Sequence, residues 1–569
     1  MKILLPLLII VMSVIYGLPH LIIVKKLGQS YDPLVISASS PVARDKTFAY
    51  APFVKFILKG NIFLGESYTK EYSSYPTPFL GETFPSIIMA ILSLATGSID
   101  RAFLAADFIF PPIILVLIFL IAKIYIKSNY YALSVAFLTS VARDFISVIP
   151  APKATYEYFA YLKDQNYHLF LSRNFHPQIT FIFFLLAFIF LIKMISFPQR
   201  KLYLIFFSVS FSLLSYSYIF YWTYFLFFYC MVIFYFLIKK NMIVLKNLFI
   251  AGLFFLLMSA YYFINLYQFY NLPIASDFIL KSSLKDHPFA WTVFRYFFLS
   301  LLFLYIFKDK GEKYFLFFLM IISAVLIAIS SKVITGQDLE TLHYLRRAAM
   351  QFATVGFFII IYRFINSSKK TVRIVSSLLI IFSLIFAFRV QSISAAKVSQ
   401  SHLRNTDQEV VLEWLNSNTP KDSVISSLNT DFNSILPIYT DNKIFFPPTD
   451  RTITPTEEGI KRFAILANLL GITENNQKLM LQDKNLVTYL FIYQAYIPGK
   501  GLSVNSPRNL LAQNELDRLS FFWEEELKNF QLDYLVITPK EIKYVQPNTR
   551  YLQVITSINE YIILKVHRI

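Results

Sequence analysis

Long apolar stretches recur through the first two thirds of this chain, and they keep breaking for loops that carry acidic, histidine and arginine residues. Apolar runs of 18 or more residues match the roughly 30 Å of hydrocarbon that a helix must cross. Ionisable groups gathered between such runs mark the places where a membrane protein works. Candidate spans lie at about 3–24, 103–126, 130–147, 178–195, 201–218, 221–238, 247–267, 290–307, 314–331, 348–364 and 372–390. The piece from Pro85 to Thr96 is apolar but too short to cross, so it reads as a helix lying in or dipping into the interface. The expected architecture is a polytopic α-helical membrane protein of about eleven spans plus interface helices.

Composition supports that class. Of 569 residues, 56% are hydrophobic and only 15% charged, with 60 Phe and 37 Tyr against 14 Gly. The formal charge of +18 does not call for nucleic acid, because much of it sits in short loops where orientation and lipid headgroups explain it. Cys230 is the sole cysteine and lies in an apolar run, which excludes disulfides and cysteine-based metal sites. No small-residue cleavage pattern follows the first apolar run, so Lys2–Val24 is expected to stay as a first span.

Loop charge orients the chain. With a cytoplasmic N-terminus, the loops holding Lys123 and Lys127; Lys193, Arg200 and Lys201; Lys239, Lys240 and Lys246; Lys308, Lys310 and Lys313; and Arg363, Lys369, Lys370 and Arg373 all fall inside. Lys25 and Lys26 run against this pattern. Segments 27–102, 143–177, 268–289 and 332–347 then fall outside, together with the tail. The expected domains are a transmembrane part, 1–394, and an extracytoplasmic soluble α/β domain, 395–569, in a multi-pass prokaryotic plasma-membrane protein. In the tail an amphipathic helix at Glu409–Pro420 stops at Thr419-Pro420, and short β-branched and aromatic runs follow at 423–428, 532–538 and 561–567.

Four segments carry a family resemblance. The run Arg44-Asp45-Lys-Thr-Phe-Ala-Tyr-Ala-Pro52, with Gly60 beyond it, resembles the first outer loop of the GT-C superfamily, the integral membrane glycosyltransferases that use polyprenyl-phosphate sugars, mannosyl- and arabinosyltransferases among them. The segments Ser172–Gln178, Thr335–Arg347 and Glu413–Val424 are similar to later parts of the same family, in family order. The resemblance implies a GT-C-like fold and inverting transfer of a sugar from a polyprenyl-phosphate donor to a glycan, lipid or protein hydroxyl at the outer face. It implies membrane lipids as surroundings and no nucleic acid as partner. No Trp-Trp-Asp-Tyr-Gly signature stands in the tail, so en bloc transfer to asparagine is not implied. Arg44-Asp45 also lacks the paired Asp-Glu of some branches. Two readings of other classes remain open, a non-catalytic glycan- or lipid-binding or assembly protein on the same scaffold, and a lipid or solute transporter. Transport fits less well, since the long polar loops share one face and no internal repeat is evident.

Such a transfer needs a base for the acceptor hydroxyl and compensation for charge growing on the departing phosphate. The resemblance puts the base at Asp45, whose plainer reading is an ion pair with Arg44 or Lys46 or a helix cap. Asp144, just after a span, is the second acidic candidate; it orients the acceptor or shares a divalent cation, Mg or Mn, with Asp45. Arg346 and Arg347 stand at an outer span mouth against the positive-inside bias, which favours an anionic ligand such as the donor phosphate. Arg295 and Lys332 are further phosphate candidates. His343, one turn before Arg347, joins His176, Arg173, Glu157 and Gln337 as candidate substrate contacts. Asp107 opens the second span and needs a cavity or a partner such as Arg101, unless it reaches headgroup depth.

Overall fold

The computed structural model describes residues 3–33, 50–142, 156, 169–281, 293–335, 341–497 and 501–567. Asp45, Asp144, Glu157 and Gln337 lie outside the described residues, as does the Lys332 side chain. The chain forms two compact units, residues 1–45, 81–263 and 289–403 in the first and 46–80, 264–288 and 404–569 in the second.

The first unit is a helical bundle. Its principal helices are α1 (Leu4–Leu27), α2 (Thr83–Thr96), α3 (Ile99–Tyr125), α4 (Asn129–Val141), α5 (Thr180–Ser196), α6 (Lys201–Ser215), α7 (Ile219–Ile238), α8 (Met242–Met258), α9 (Val293–Phe307), α10 (Glu312–Thr335), α11 (Met350–Ile365) and α12 (Lys369–Val398). Short turns join α3 to α4, α5 to α6, α7 to α8, α9 to α10 and α11 to α12, which makes each pair antiparallel neighbours. Local chemistry starts the returning helices: the side chains of Ser128, Asn241 and Ser368 each accept from a backbone N–H in the first turn of α4, α8 and α12. Gly97, at φ 84°, ends α2, and the Ser98 hydroxyl caps α3 one residue later. Helix α4 is buried on every face from Tyr131 to Val141 and forms the centre of the bundle. α1 and α12 close at one end, where the Asp32 N–H donates to the His402 carbonyl at 2.8 Å.

Among the described residues, eight helical stretches are long and apolar enough to cross a membrane, or nine when one bent pair counts as a span. Every expected span has a helix at its place, with three adjustments. The span at 247–267 is a broken pair, Met242–Met258 and Ala260–Tyr270, bent by 54° around Ser259. The expected span 130–147 is helical only to Val141, and 143–147 lie outside the described residues. α6 and α9 are short at 15 residues each. Helix α2 has 14 residues, but a 3-10 turn, Pro78–Glu82, runs into it and brings the continuous stretch to 19. Its interface assignment therefore rests on loop charge, not length.

The second unit is α/β. Strands β1 (Val424–Ser426), β2 (Lys443–Ile444), β5 (Tyr534–Ile537), β6 (Leu552–Ile558) and β7 (Tyr561–Val566) form one sheet in the order β2-β1-β5-β7-β6, while β3 (Tyr496–Ile497) and β4 (Gly501–Leu502) pair separately. β1 pairs in parallel with β2 and β5; β7 is antiparallel to β5 and β6. Alternation along the strands explains the layers. Ile425, Val536 and Ile563 face the helices Thr406–Asn418 and Thr430–Tyr439, and Val424, Leu535, Ile537 and Leu564 face Thr456–Leu469 and Pro507–Leu527. The helix at Thr406–Asn418 ends where Thr419-Pro420 predicted.

Segments 46–80 and 264–288 are built into this unit. Glu66, fully buried, accepts from the backbone N–H groups of Tyr68, Thr69 and Ile453 and from the Thr452 hydroxyl. Burial pushes its carboxyl up from the usual range, against the pull of those N–H groups. Arg462, also fully buried, binds Glu458 at 2.6 Å, Glu71 at 3.2 Å and the Phe445 carbonyl, under the Phe530 ring. Asp277 accepts from the N–H and hydroxyl of Thr456.

Candidate anion-binding site

The site forms where the chain enters α5. Residues Asn174–Ile179 make a wide helical turn with a cis bond between His176 and Pro177. One carboxylate anchors both flanks of that turn: Asp107 Oδ1 accepts from Asn174 Nδ2 at 3.0 Å and from Gln178 Nε2 at 2.8 Å. The second oxygen, Oδ2, bonds His20 Nε2 at 2.8 Å, and the other His20 nitrogen meets the Tyr31 hydroxyl. Asp107 is 0% and His20 1% exposed, so the acid lies deeper than a headgroup contact would place it, with His20, Asn174 and Gln178 as partners. Its cost in an apolar bundle is offset by three directed donors.

The anchored turn presents His176. Its Nε2 lies 2.5 Å from Glu82 Oε2 and its Nδ1 3.2 Å from Thr180 Oγ1. The Tyr218 ring stacks on the imidazole at a centroid distance of 3.9 Å. The Tyr218 hydroxyl in turn meets His343 Nδ1 at 3.0 Å, with Phe220 edge-on to that second imidazole. Arg347 closes the cluster: its Nη1 donates to the His176 carbonyl at 3.1 Å, and its own carbonyl accepts from the Tyr221 hydroxyl at 2.9 Å. Arg173 and Arg347 both act electrostatically on the His176 ring. Arg347 is half-buried and Arg346 exposed beside it.

Of the residues expected from sequence, His176, His343, Arg347 and Arg173 thus gather in one place, with Arg346 adjoining. Arg295 sits half-buried in the first turn of α9, and no described contact ties it to this cluster. Lys332 falls in the last turn of α10. Glu82, His20, Asn174, Gln178 and Tyr218 complete the arrangement and were not among the expected site residues. For His20 a signal was present, since an ionisable residue inside an apolar span is by default a site.

Among the described residues the guanidinium groups of Arg173, Arg346 and Arg347 outnumber the carboxylates of Glu82 and Asp107, which leaves the cluster net positive even with neutral imidazoles. Planar guanidinium forks match a phosphate, and the half-buried position of Arg347 shields the interaction from water. Among the described residues no group of three or more His, Cys, Asp or Glu is placed to hold a metal ion.

No family model matches the chain, and no curated protein sequence does. Among solved structures, the Archaeoglobus fulgidus oligosaccharyltransferase in its apo form is similar at 11% identity and a TM-score of 0.43, over 92% of this chain and 69% of that one. AglB of the same organism, in complex with an inhibitory peptide and a dolichol-phosphate, is similar at 12% identity and a TM-score of 0.40, with the same coverage. ArnT from Cupriavidus metallidurans bound to undecaprenyl phosphate gives 10% identity and a TM-score of 0.39 over 96% of this chain and 97% of that one. Likeness of this degree assigns no residue a role.

Proposed function

We propose that this chain is a membrane glycosyltransferase that moves a sugar, with inversion, from a polyprenyl-phosphate donor to a hydroxyl acceptor. The observation that carries the reading is the convergence of Arg347, Arg173 and His176 with Glu82 at the mouth of α5. A cationic cluster set on apolar helices suits a ligand with a phosphate head and a hydrocarbon tail.

In this reading the acceptor oxygen attacks the anomeric carbon while a carboxylate takes its proton, a role the family resemblance gives to Asp45. The bond from that carbon to the phosphate oxygen breaks, and the polyprenyl phosphate leaves with one more negative charge than it carried as a diester. Arg347 and its neighbours stabilise that developing charge, which lowers the barrier more than it stabilises the bound donor. Glu82 holds the His176 imidazole in one orientation. Tyr218 covers its face.

The test is a donor screen on the purified full chain, with release of free polyprenyl phosphate as the readout. Turnover of one sugar-lipid that falls at least a hundredfold in Asp45→Asn and in Arg347→Ala supports the reading. Undiminished turnover in Asp45→Asn removes the proposed base. Binding of sugar-lipids with no release from any donor favours the non-catalytic scaffold, and passage of labelled substrate across sealed vesicles favours transport.

A further inference from the structure

A cavity of about 570 Å³ opens at the far end of α5, between the α5–α6 and α9–α10 turns. α5 starts beside His176 and ends at Ser196, so by the helix rise the cavity lies ~25 Å from the cationic cluster. It is a separate place and has no part in the reaction above. Lys310, Lys313 and Ser196 supply its polar lining, and Ile192, Ile195 and Leu316 its apolar wall. Glu312 stands on the same rim, which leaves the lining net positive.

The surroundings favour an anion. Five hairpin turns meet at this end of the bundle: the Tyr125 hydroxyl donates to the Lys313 carbonyl, Tyr362 accepts from the Ser128 N–H, and Asn247 donates to the Pro198 carbonyl. These turns are rich in Lys and Arg, and their acids are Asp309 and Glu312 alone. The surroundings also favour a lipid over a soluble ion. A few residues along the chain from the cavity, α6 exposes Leu202, Ile205 and Phe206, a surface suited to acyl chains, and Ile192, Ile195 and Leu316 line the cavity together with the lysines.

The geometry points to a binding site for the phosphate headgroup of an anionic membrane phospholipid, with Lys310 and Lys313 on the phosphate and the start of the acyl chains against Ile192, Ile195 and Leu316. Basic pockets between spans on one membrane face recognise headgroups in this way, each lysine adding to the attraction. A zwitterionic lipid presents its own cation to the same lysines and binds less well.

Native mass spectrometry of the detergent-purified full chain tests this, with phosphatidylglycerol, phosphatidylcholine and inorganic phosphate as probes. Wild type should retain phosphatidylglycerol at least tenfold better than phosphatidylcholine. The double variant Lys310→Gln/Lys313→Gln should lose that preference. Lys239→Gln/Lys240→Gln, which removes the same charge from another turn, should keep it. Ser196→Trp, which fills the cavity without changing charge, should also lose it, so the outcome does not hang on one variant. Equal retention of the two lipids, equal loss in the control pair, or inorganic phosphate competing at concentrations comparable to the lipid would each overturn the proposal.

Discussion

Glu82 and His176, 94 positions apart in sequence, meet at 2.5 Å across the mouth of α5. A bond of this length between a carboxylate and an imidazole N–H is charge-assisted, and it fixes the ring that Tyr218 stacks upon. Glu82→Gln retains an acceptor but removes the charge. Turnover should fall about tenfold to a hundredfold, the equivalent of ~1.5–3 kcal/mol for a hydrogen bond to a charged group, with thermal stability changed by little. Steady-state kinetics beside a melting curve separate the two effects.

Asp107 is the support beneath that ring. Replacing it with Leu removes the carboxylate that His20, Asn174 and Gln178 share, and leaves the two amides only their longer bonds to the Phe103 and Leu171 carbonyls and to each other. The expected loss is about 3–5 kcal/mol of stability, the usual result of removing one partner of a buried pair. Asp107→Asn retains one oxygen for the Asn174 and Gln178 amides, so it should keep more stability and more activity than Leu. A thermal unfolding series across the two variants checks the order.

This network also marks the limit of what could be read from the sequence. The apolar runs disclosed the helices, because a span needs length and hydrophobicity and both are visible in order. The motif Ser172–Gln178 pointed to the loop that carries His176, and the basic pair Arg346-Arg347 to the helix start that Arg347 joins to it. Pairings across long separations were not visible: Glu82 is a lone acid ahead of an apolar helix, and nothing in its neighbours names His176. Segments 46–80 and 264–288 likewise read as outer loops, whereas contacts such as those of Glu66, Glu71, Tyr72, Asp277 and Lys281 join them to the tail.

Glycine at position 17 permits α1 and α3 to touch. A Cβ there would stand 2.1 Å from the Phe108 ring, beside the bond from the Ser13 hydroxyl to the Phe108 carbonyl. Small residues allow such close approach between membrane helices. Gly17→Ala should cost about 1–3 kcal/mol through overpacking, and Gly17→Ala/Phe108→Leu should recover part of it. Melting temperatures of the single and double variants provide the comparison.

In the second unit Glu541 is 1% exposed and accepts from the Thr538 N–H and the Ser427 hydroxyl. Burial holds its carboxyl above the usual carboxylate range despite those donors. The folded state therefore keeps its proton to higher pH than the unfolded chain. Its stabilising contribution is complete below the unfolded pKa and is lost as pH rises through the folded value. Glu66 carries the same sign. Glu541→Gln should flatten, but not abolish, the fall in melting temperature between mildly acidic and neutral pH.

The central claim is that the cluster around His176 receives a lipid-linked phosphate, and Arg347 bears on it most directly. Equilibrium binding of polyprenyl phosphate to the purified full chain, wild type against Arg347→Ala and Arg347→Lys, measures it. Removing one guanidinium contact to phosphate should weaken binding about tenfold or more in Arg347→Ala, with only partial recovery in Arg347→Lys because a lysine cannot reproduce the fork. Equal affinity in all three proteins, with folding intact, would contradict the account.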